Sequence, residues 1–365
     1  MIDTIKLVKV LMRPLPYKSV KWQSFKTNEN GVTIGVINPT AEDRRNGMYM
    51  PDITYYERPM PGGGHRYEVA IETSLPKLHF GNNFEELTEP DYKAVVKDLK
   101  RVLRSLGFSH AFVADISNFE VRKVDFCKNV RFTDGTTVAT VISNLAKADI
   151  SKVYDVQKTD FRNGGKILHI HTNSQDIAFY DKISDLEQAR KSERRAKDET
   201  PSYCQFDLLK TFEEERKQHP LSVLRYEIRL NSKTKVRDAL NAAGVNTPLT
   251  FKNIFRQEVS KTILLQNLDK IINKIPNSEL LDNTPENLLI DILAEGKSKG
   301  PRDVFARLGF TLVADSISDL RKFRTLVDEN FHKDAWGRLA RDYLTKPSKS
   351  QLKALLKLRE EVDMG

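Results

Sequence analysis

The sequence predicts an α+β protein: an antiparallel sheet with helices packed on one face over residues 1–235, then an all-α region over residues 236–365. Three observations carry this. Short runs of two-residue alternation recur through the first 230 residues, which is the strand period. Amphipathic helical repeats lie between them. Strand signals stop after Asn231, while helical patterns continue to the end, interrupted at Pro248, Pro276, Pro285, Pro301 and Pro347.

In chain order, Thr4 to Leu11 and Val32 to Ile37 read as strands, and Asn38 to Gly64 as loop. Tyr67 to Thr73 is a strand with Val69 and Ile71 on one face and Glu68, Ala70 and Glu72 on the other. A polar loop follows and contributes Lys77 and Asn83 as candidate nucleic-acid contacts. Glu89 to Leu106 is a helix with Val95, Leu99, Val102, Leu103 and Leu106 on one side, stopped by Gly107. Asn118 to Val130 is a strand presenting Lys123 and Asp125 together, and Thr136 to Lys147 a helix. Lys166 to Thr172 and Ile177 to Ile183 form a hairpin around the turn formers Thr172 to Asp176. Leu186 to Asp198 is a basic helix. Leu221 to Leu230 is a strand with Arg225, Glu227 and Arg229 on one face and Leu224, Tyr226, Ile228 and Leu230 toward the core. Beyond Asn231, Asp303 to Val327 reads as two short helices meeting near Gly309, either a helix-turn-helix or part of a bundle. The C-terminal helices could bind DNA, dimerise or brace the sheet.

The chain carries 59 Lys and Arg against 50 Asp and Glu, a formal net charge of +9, which suits a polyanionic partner. No apolar run approaches a membrane span, and the N-terminus lacks the pattern of a signal peptide. Cys127 and Cys204 lie far apart, so neither a disulfide framework nor a cysteine zinc site is expected, and the compartment is read as reducing. No phosphate-cradling GxxxxGK[ST] loop occurs, which argues against a nucleotide-driven motor.

Chemistry concentrates on one strand face. Tyr180 is the candidate nucleophile. A free phenol has a pKa of about 10, and Lys182 on the same face is expected to lower it. His169 and His171, two apart on a strand, project together as candidate ligands for Mg²⁺, Mn²⁺ or Zn²⁺. Asp125 and Glu227 are either metal ligands or cross-strand ion-pair partners; with the first role, Arg225 and Arg229 would hold a scissile phosphate. On the basic helix, Arg190, Arg194 and Lys197 form a stripe, read as a contact to the DNA backbone or a solvated face. Lys123 joins the nucleic-acid candidates.

The opening Met1-Ile2-Asp3, VAIETSLPKLHFGNN, VRKVDF, AFYDK and LRYEIRL follow the order seen in filamentous-phage gene II replication proteins. They also resemble the rolling-circle initiators of small plasmids. His169-Ile170-His171 is similar to the His-hydrophobe-His motif of replication endonucleases. The resemblance implies a Rep/relaxase-like nuclease domain that nicks and rejoins one strand of origin DNA. Tyr180, with Lys182, would become linked to the 5′ phosphate, and a host polymerase, with a host helicase, would extend the freed 3′ end. It further implies Mg²⁺ or Mn²⁺ and a bacterial host cytoplasm. Asp125 matches the acid of the plasmid Arg-x-Asp strand; VRKVD departs from that pattern, leaving the basic role open between Arg122 and Lys123. No membrane partner is expected, and a homodimer is possible. The rival reading is a non-catalytic, sequence-specific DNA-binding protein that controls replicon copy number. It needs the basic surface but no tyrosine beside a metal cluster.

Overall fold

The computed structural model describes residues 1–40, 49–146, 148, 150, 155–162, 167–187, 203–218, 220–275, 289, 292–293, 300–316, 320–330, 337 and 353–364. Ten strands form one antiparallel sheet. They are β1 (Ile2–Leu11), β2 (Ser24–Thr27), β3 (Thr33–Ile37), β4 (Asp52–Pro59), β5 (His65–Ser74), β6 (Glu120–Phe132), β7 (Asp155–Arg162), β8 (Ile167–His171), β9 (Gln175–Asp181) and β10 (Ser222–Leu230). Their order across the sheet is β2-β3-β4-β5-β1-β6-β10-β9-β8-β7. A meander thus builds one wing, the hairpin region builds the other, and β1, β6 and β10 join them.

The alternation read from the sequence sets the faces. Ile5, Leu7, Val69, Ile71, Val124, Phe126, Ile228, Tyr226, Phe179, Ile177, Leu168 and Ile170 are buried on one side. α1 (Tyr92–Ser105) buries Val95, Leu99 and Leu103, and α2 (Gln257–Ile272) lies against this side, its Leu264 carbonyl accepting the Tyr226 hydroxyl at 2.9 Å. Gly107 ends the α1 region with φ +94°, and a Cβ there would sit 1.9 Å from the Ser19 carbonyl oxygen. Only glycine fits this turn.

Three strands lie where none was expected: β2, β4 and β7. β4 occupies part of the stretch read as loop, where Ile53, Tyr55 and Thr54, Tyr56 alternate beside β5. Two other assignments change. Leu75–Phe80, read as loop, is a helix ended by Gly81 at φ +76°. The strand expected to run to Ile183 stops at Asp181, and residues 182–187 are helical, with the Asp181 carboxylate accepting the Ser184 N–H at 3.0 Å. That helix and Tyr203–Gln218 close a small core of Ile183, Leu186, Phe212, Leu221, Val223 and Phe84 at one end of the polar face. Helices therefore meet both faces of the sheet.

The chain divides into two compact units. One comprises Met1–Ala139, Val153–Asn267 and Glu361–Gly365, and holds the whole sheet; the other comprises Thr140–Lys152 and Leu268–Glu360. The sheet unit thus extends well past residue 235, because helix Lys233–Ala242 packs on β6 and β10 and α2 lies over Tyr226. The second unit has helices Pro301–Ser316 and Leu320–Asn330 and an apolar cluster of Ile292 and Val304 with Leu289, Leu308 and Leu312. Gly309 lies inside the first of these helices and not at a turn between two. No described helix is long and apolar enough to cross a membrane.

Candidate active site

Register places the polar residues of four adjacent strands in three rows. Asn129, Arg225, Tyr180 and Ile167 face one another across β6, β10, β9 and β8; so do Cys127, Glu227, Ala178 and His169; so do Asp125, Arg229, Asp176 and His171. The last row continues on β6 to Lys123, which lies opposite Lys6 of β1, itself opposite Glu72 of β5. Opposed residues in an antiparallel sheet share a face. The hairpin, β6 and β10 therefore deliver one assembly.

Glu227 is its centre. One carboxylate oxygen accepts the Tyr180 hydroxyl and Arg225 Nε, both at 2.8 Å; the other accepts Arg229 Nη2 at 2.7 Å and Nε at 3.2 Å. Four hydrogen bonds fill what a carboxylate can accept. Burial pushes the Glu227 pKa up, but Arg225 and Arg229 outweigh it and hold the carboxyl down at about 2. With both arginines in place it is an anion at neutral pH. In this arrangement Glu227 spends its oxygens on the tyrosine and the arginines, so it fixes the Tyr180 hydroxyl and offers no open lone pair to a metal.

Arg225 is fully buried. Besides Glu227 it donates to Asp3 Oδ2 at 2.8 Å, to the Asn83 carbonyl at 3.1 Å and to Asn129 Oδ1 at 3.2 Å. The sequence puts Arg225 on the scissile phosphate. In the structure its donors go to protein groups and its side chain has no exposed surface. Arg229 is different, with its side chain 36% exposed beyond its Glu227 contacts, which leaves it open to a phosphate.

Tyr180 is half-buried, and its phenol is held well above the ordinary range, first by burial and then by the Glu227 charge. The expected lowering by Lys182 does not occur. The Lys182 ammonium is buried, bonds to Asp185 at 3.1 Å, and lies 5.7 Å from the Tyr180 ring centroid. Burial, then Arg225, lowers its own pKa. The reason is the early helix start at Lys182, which draws the side chain toward Asp185 three residues on. The resting phenol is therefore a proton donor to Glu227.

Beside Tyr180, the ligand atoms of His169, His171 and Asp176 lie within 4.8 Å of one another. Asp176 accepts from both sides: His171 Nδ1 at 3.0 Å and the Asn231 amide at 2.9 Å. The carboxylate on its ring nitrogen fixes the orientation of the His171 imidazole. Asp125 adds a second signal. It is 8% exposed, and its Oδ1 has no hydrogen-bond partner among the described residues. Burial drives its pKa up to about 7, Lys123 opposes this, and Glu227 adds to it. Two imidazoles and a carboxylate with converging ligand atoms are a donor set that fits a divalent cation, while Asp125 lies two strands from Asp176, across Arg229.

A raised folded pKa means that the folded state favours the neutral Asp125 acid. The stability this group contributes is complete below about pH 4 and is lost as pH rises through about 7. With a chelator present, wild type should therefore lose roughly 2–4 kcal/mol relative to Asp125→Asn between pH 4 and 8. Urea unfolding at several pH values reads the difference; a constant offset would refute the shift.

The remaining candidates are placed as follows. Lys123 bonds Glu72 at 2.7 Å beside Asp125, whereas Arg122 turns to Glu68 at 2.7 Å and Glu120 at 3.0 Å. Of the two basic residues left open by VRKVD, Lys123 is the one at the site. Asn83 takes part through its backbone carbonyl, and Lys77 sits half-buried on helix Leu75–Phe80. Arg190, Arg194 and Lys197 lie outside the described residues. Asp3, Asn129 and Asp176 are site residues that the sequence does not single out. Asp176 looks like a turn former, Asp3 enters only with the opening Met1-Ile2-Asp3, and nothing local marks Asn129; only the fold brings them to Arg225 and His171.

The family model for the N-terminal region of the replication-associated gene II protein matches residues 18–247. The chain belongs to this family. It is a replication initiator of the phage gene II, rolling-circle type. The matched span of this initiator takes in β2 to β10 and every residue of the three rows; Asp3 and Lys6 precede it, and the second compact unit lies almost wholly beyond it. No curated protein and no solved structure gave a match to the initiator.

Proposed function

We propose that the initiator nicks one DNA strand and holds it through a covalent tyrosine–5′-phosphate bond. The observation that carries this is the Tyr180 hydroxyl, seated 2.8 Å from the Glu227 carboxylate and beside the His169, His171 and Asp176 cluster. In the step, Tyr180 Oη attacks phosphorus. The Oη–P bond forms and the P–O3′ bond breaks. The phenol proton passes to Glu227, and the 3′ oxygen leaves and takes a proton from solvent. Religation is the reverse. Glu227 is a weak base while Arg225 and Arg229 flank it, so the resting site is inert. An incoming phosphate shares Arg229 and raises the basicity of Glu227 as the strand docks.

His169, His171 and Asp176 would hold a divalent ion such as Mg²⁺ or Mn²⁺. That ion would supply Lewis-acid relief of charge on the phosphate. His171→Ala is expected to lose most of the Mn²⁺-dependent rise in thermal midpoint, and cleavage by about a hundredfold or more. If the midpoint still responds to Mn²⁺ in His169→Ala and His171→Ala, but not in Asp125→Asn, the ion sits with oxygen ligands and the histidine cluster is not its site.

Incubation with supercoiled DNA and Mn²⁺, followed by denaturing electrophoresis, tests the reading. A covalent protein–DNA band supports it. Binding with no band and no relaxation of the supercoils would favour a regulator that binds DNA without cutting it.

A further inference from the structure

On the same face as Tyr180, two to five strands away, three arginines surround one carboxylate. Glu68 of β5 is 3% exposed. Its Oε1 accepts Arg66 Nη2 at 2.6 Å and Arg122 Nη2 at 2.7 Å; its Oε2 accepts Arg58 Nη1 and Arg122 Nη1, both at 3.3 Å. Arg122 also bonds Glu120, which Lys233 contacts in turn. Four cations thus meet two carboxylates. Arg58 and Arg66 are directly opposed across β4 and β5, a like-charge pairing that costs stability. Neutralising one buried carboxylate needs one arginine. Here the side chains of Arg58 and Arg66 remain 46% and 47% exposed, and each guanidinium has more N–H donors than its bonds to Glu68 use. The Arg58 guanidinium also lies 4.4 Å from the centroid of the Tyr56 ring, which gives a flat platform beside the charge.

We propose that this cluster is a docking track for the phosphate backbone of single-stranded DNA leading to or from Tyr180; it rests on the nicking reading above. Register links the two ends. Arg229 on β10, Lys123 on β6 and Lys6 on β1 form a line of cations across neighbouring strands, and Arg122, Arg66 and Arg58 extend it over β6, β5 and β4. At about 4.8 Å per strand, β9 to β4 spans roughly 24 Å. The charge contacts are sequence-independent, and a base can stack on the Arg58–Tyr56 platform. Glu68 holds the arginines ready, so little ordering cost is left for binding.

The test uses the full chain and a labelled 24-residue oligothymidylate, with affinity measured over a range of salt. Arg58→Gln/Arg66→Gln should bind at least tenfold more weakly. Its slope of log K against log salt should fall by about 1.4, at about 0.7 for each single-strand phosphate that is no longer neutralised. Arg58→Lys/Arg66→Lys keeps the charge and should keep most of the affinity and slope. Thermal midpoints of both variants separate lost charge from lost fold. An unchanged affinity and slope in the glutamine variant, with only a lower midpoint, would make the cluster a brace of the β4–β5 hairpin and overturn the track. The assay needs no cleavage. A weakened glutamine variant together with an absent covalent band would keep the track and reject the nicking reading.

Discussion

Tyr180→Phe is expected to fold, to bind DNA as wild type does, and to show no strand cleavage. The substitution removes the attacking oxygen and keeps the ring that packs in the sheet. It also deletes the hydrogen bond to Glu227 at 2.8 Å, but that carboxylate keeps Arg225 and Arg229. The stability cost should therefore stay within about 1–3 kcal/mol, the range for one hydrogen bond to a charged group. Cleavage by contrast should fall below detection, because no other group can form the covalent bond at this position. Equal cleavage by wild type and variant would remove Tyr180 as nucleophile. Tyr154, outside the described residues, and Tyr203, at the start of helix Tyr203–Gln218, would be the next candidates.

The largest loss of stability is expected at Arg225→Met. This guanidinium is fully buried and bonds four partners from β1, β6, β10 and the loop at Asn83. Removing it leaves the half-buried Asp3 without its cation, leaves the buried Glu227 with Arg229 alone, and strands the Asn83 carbonyl. Breaking one side of a buried ion pair costs about 3–5 kcal/mol. Urea unfolding should show a loss of that size, with cleavage lost as a consequence. A variant within about 1 kcal/mol of wild type that binds DNA more weakly would return Arg225 to the phosphate-contact role that the sequence suggests.

Much of this site is legible in the sequence because a strand has a strict period of two. Glu68 with Glu72, Lys123 with Asp125, His169 with His171, and Arg225 with Glu227 and Arg229 can each be put on a common face from spacing alone, and the register agrees. What spacing does not give is depth or neighbours. Arg225 and Arg229 look equivalent in LRYEIRL, yet one is sealed under Asp3, Asn83 and Asn129 and the other reaches solvent. Lys182 looks like the next strand residue after Tyr180, but Asp181 caps a helix there, and the ammonium turns to Asp185. β4 hides because its strand formers, Ile53 to Tyr56, stand between Pro51 and Pro59, and prolines read as loop until β5 is seen to hold its edge. The helices after Asn231 divide by tertiary packing, not composition, so no sequence signal marks a boundary near Asn267.

The most direct measurement is the mapping of the covalent adduct. Protein trapped on single-stranded origin DNA with Mn²⁺ is digested with nuclease and protease, and the nucleotide-bearing peptide is sequenced by mass spectrometry. A 5′-phosphoryl nucleotide on Tyr180 is the predicted result. An adduct on any other residue, or complete cleavage with no adduct at all, would contradict it.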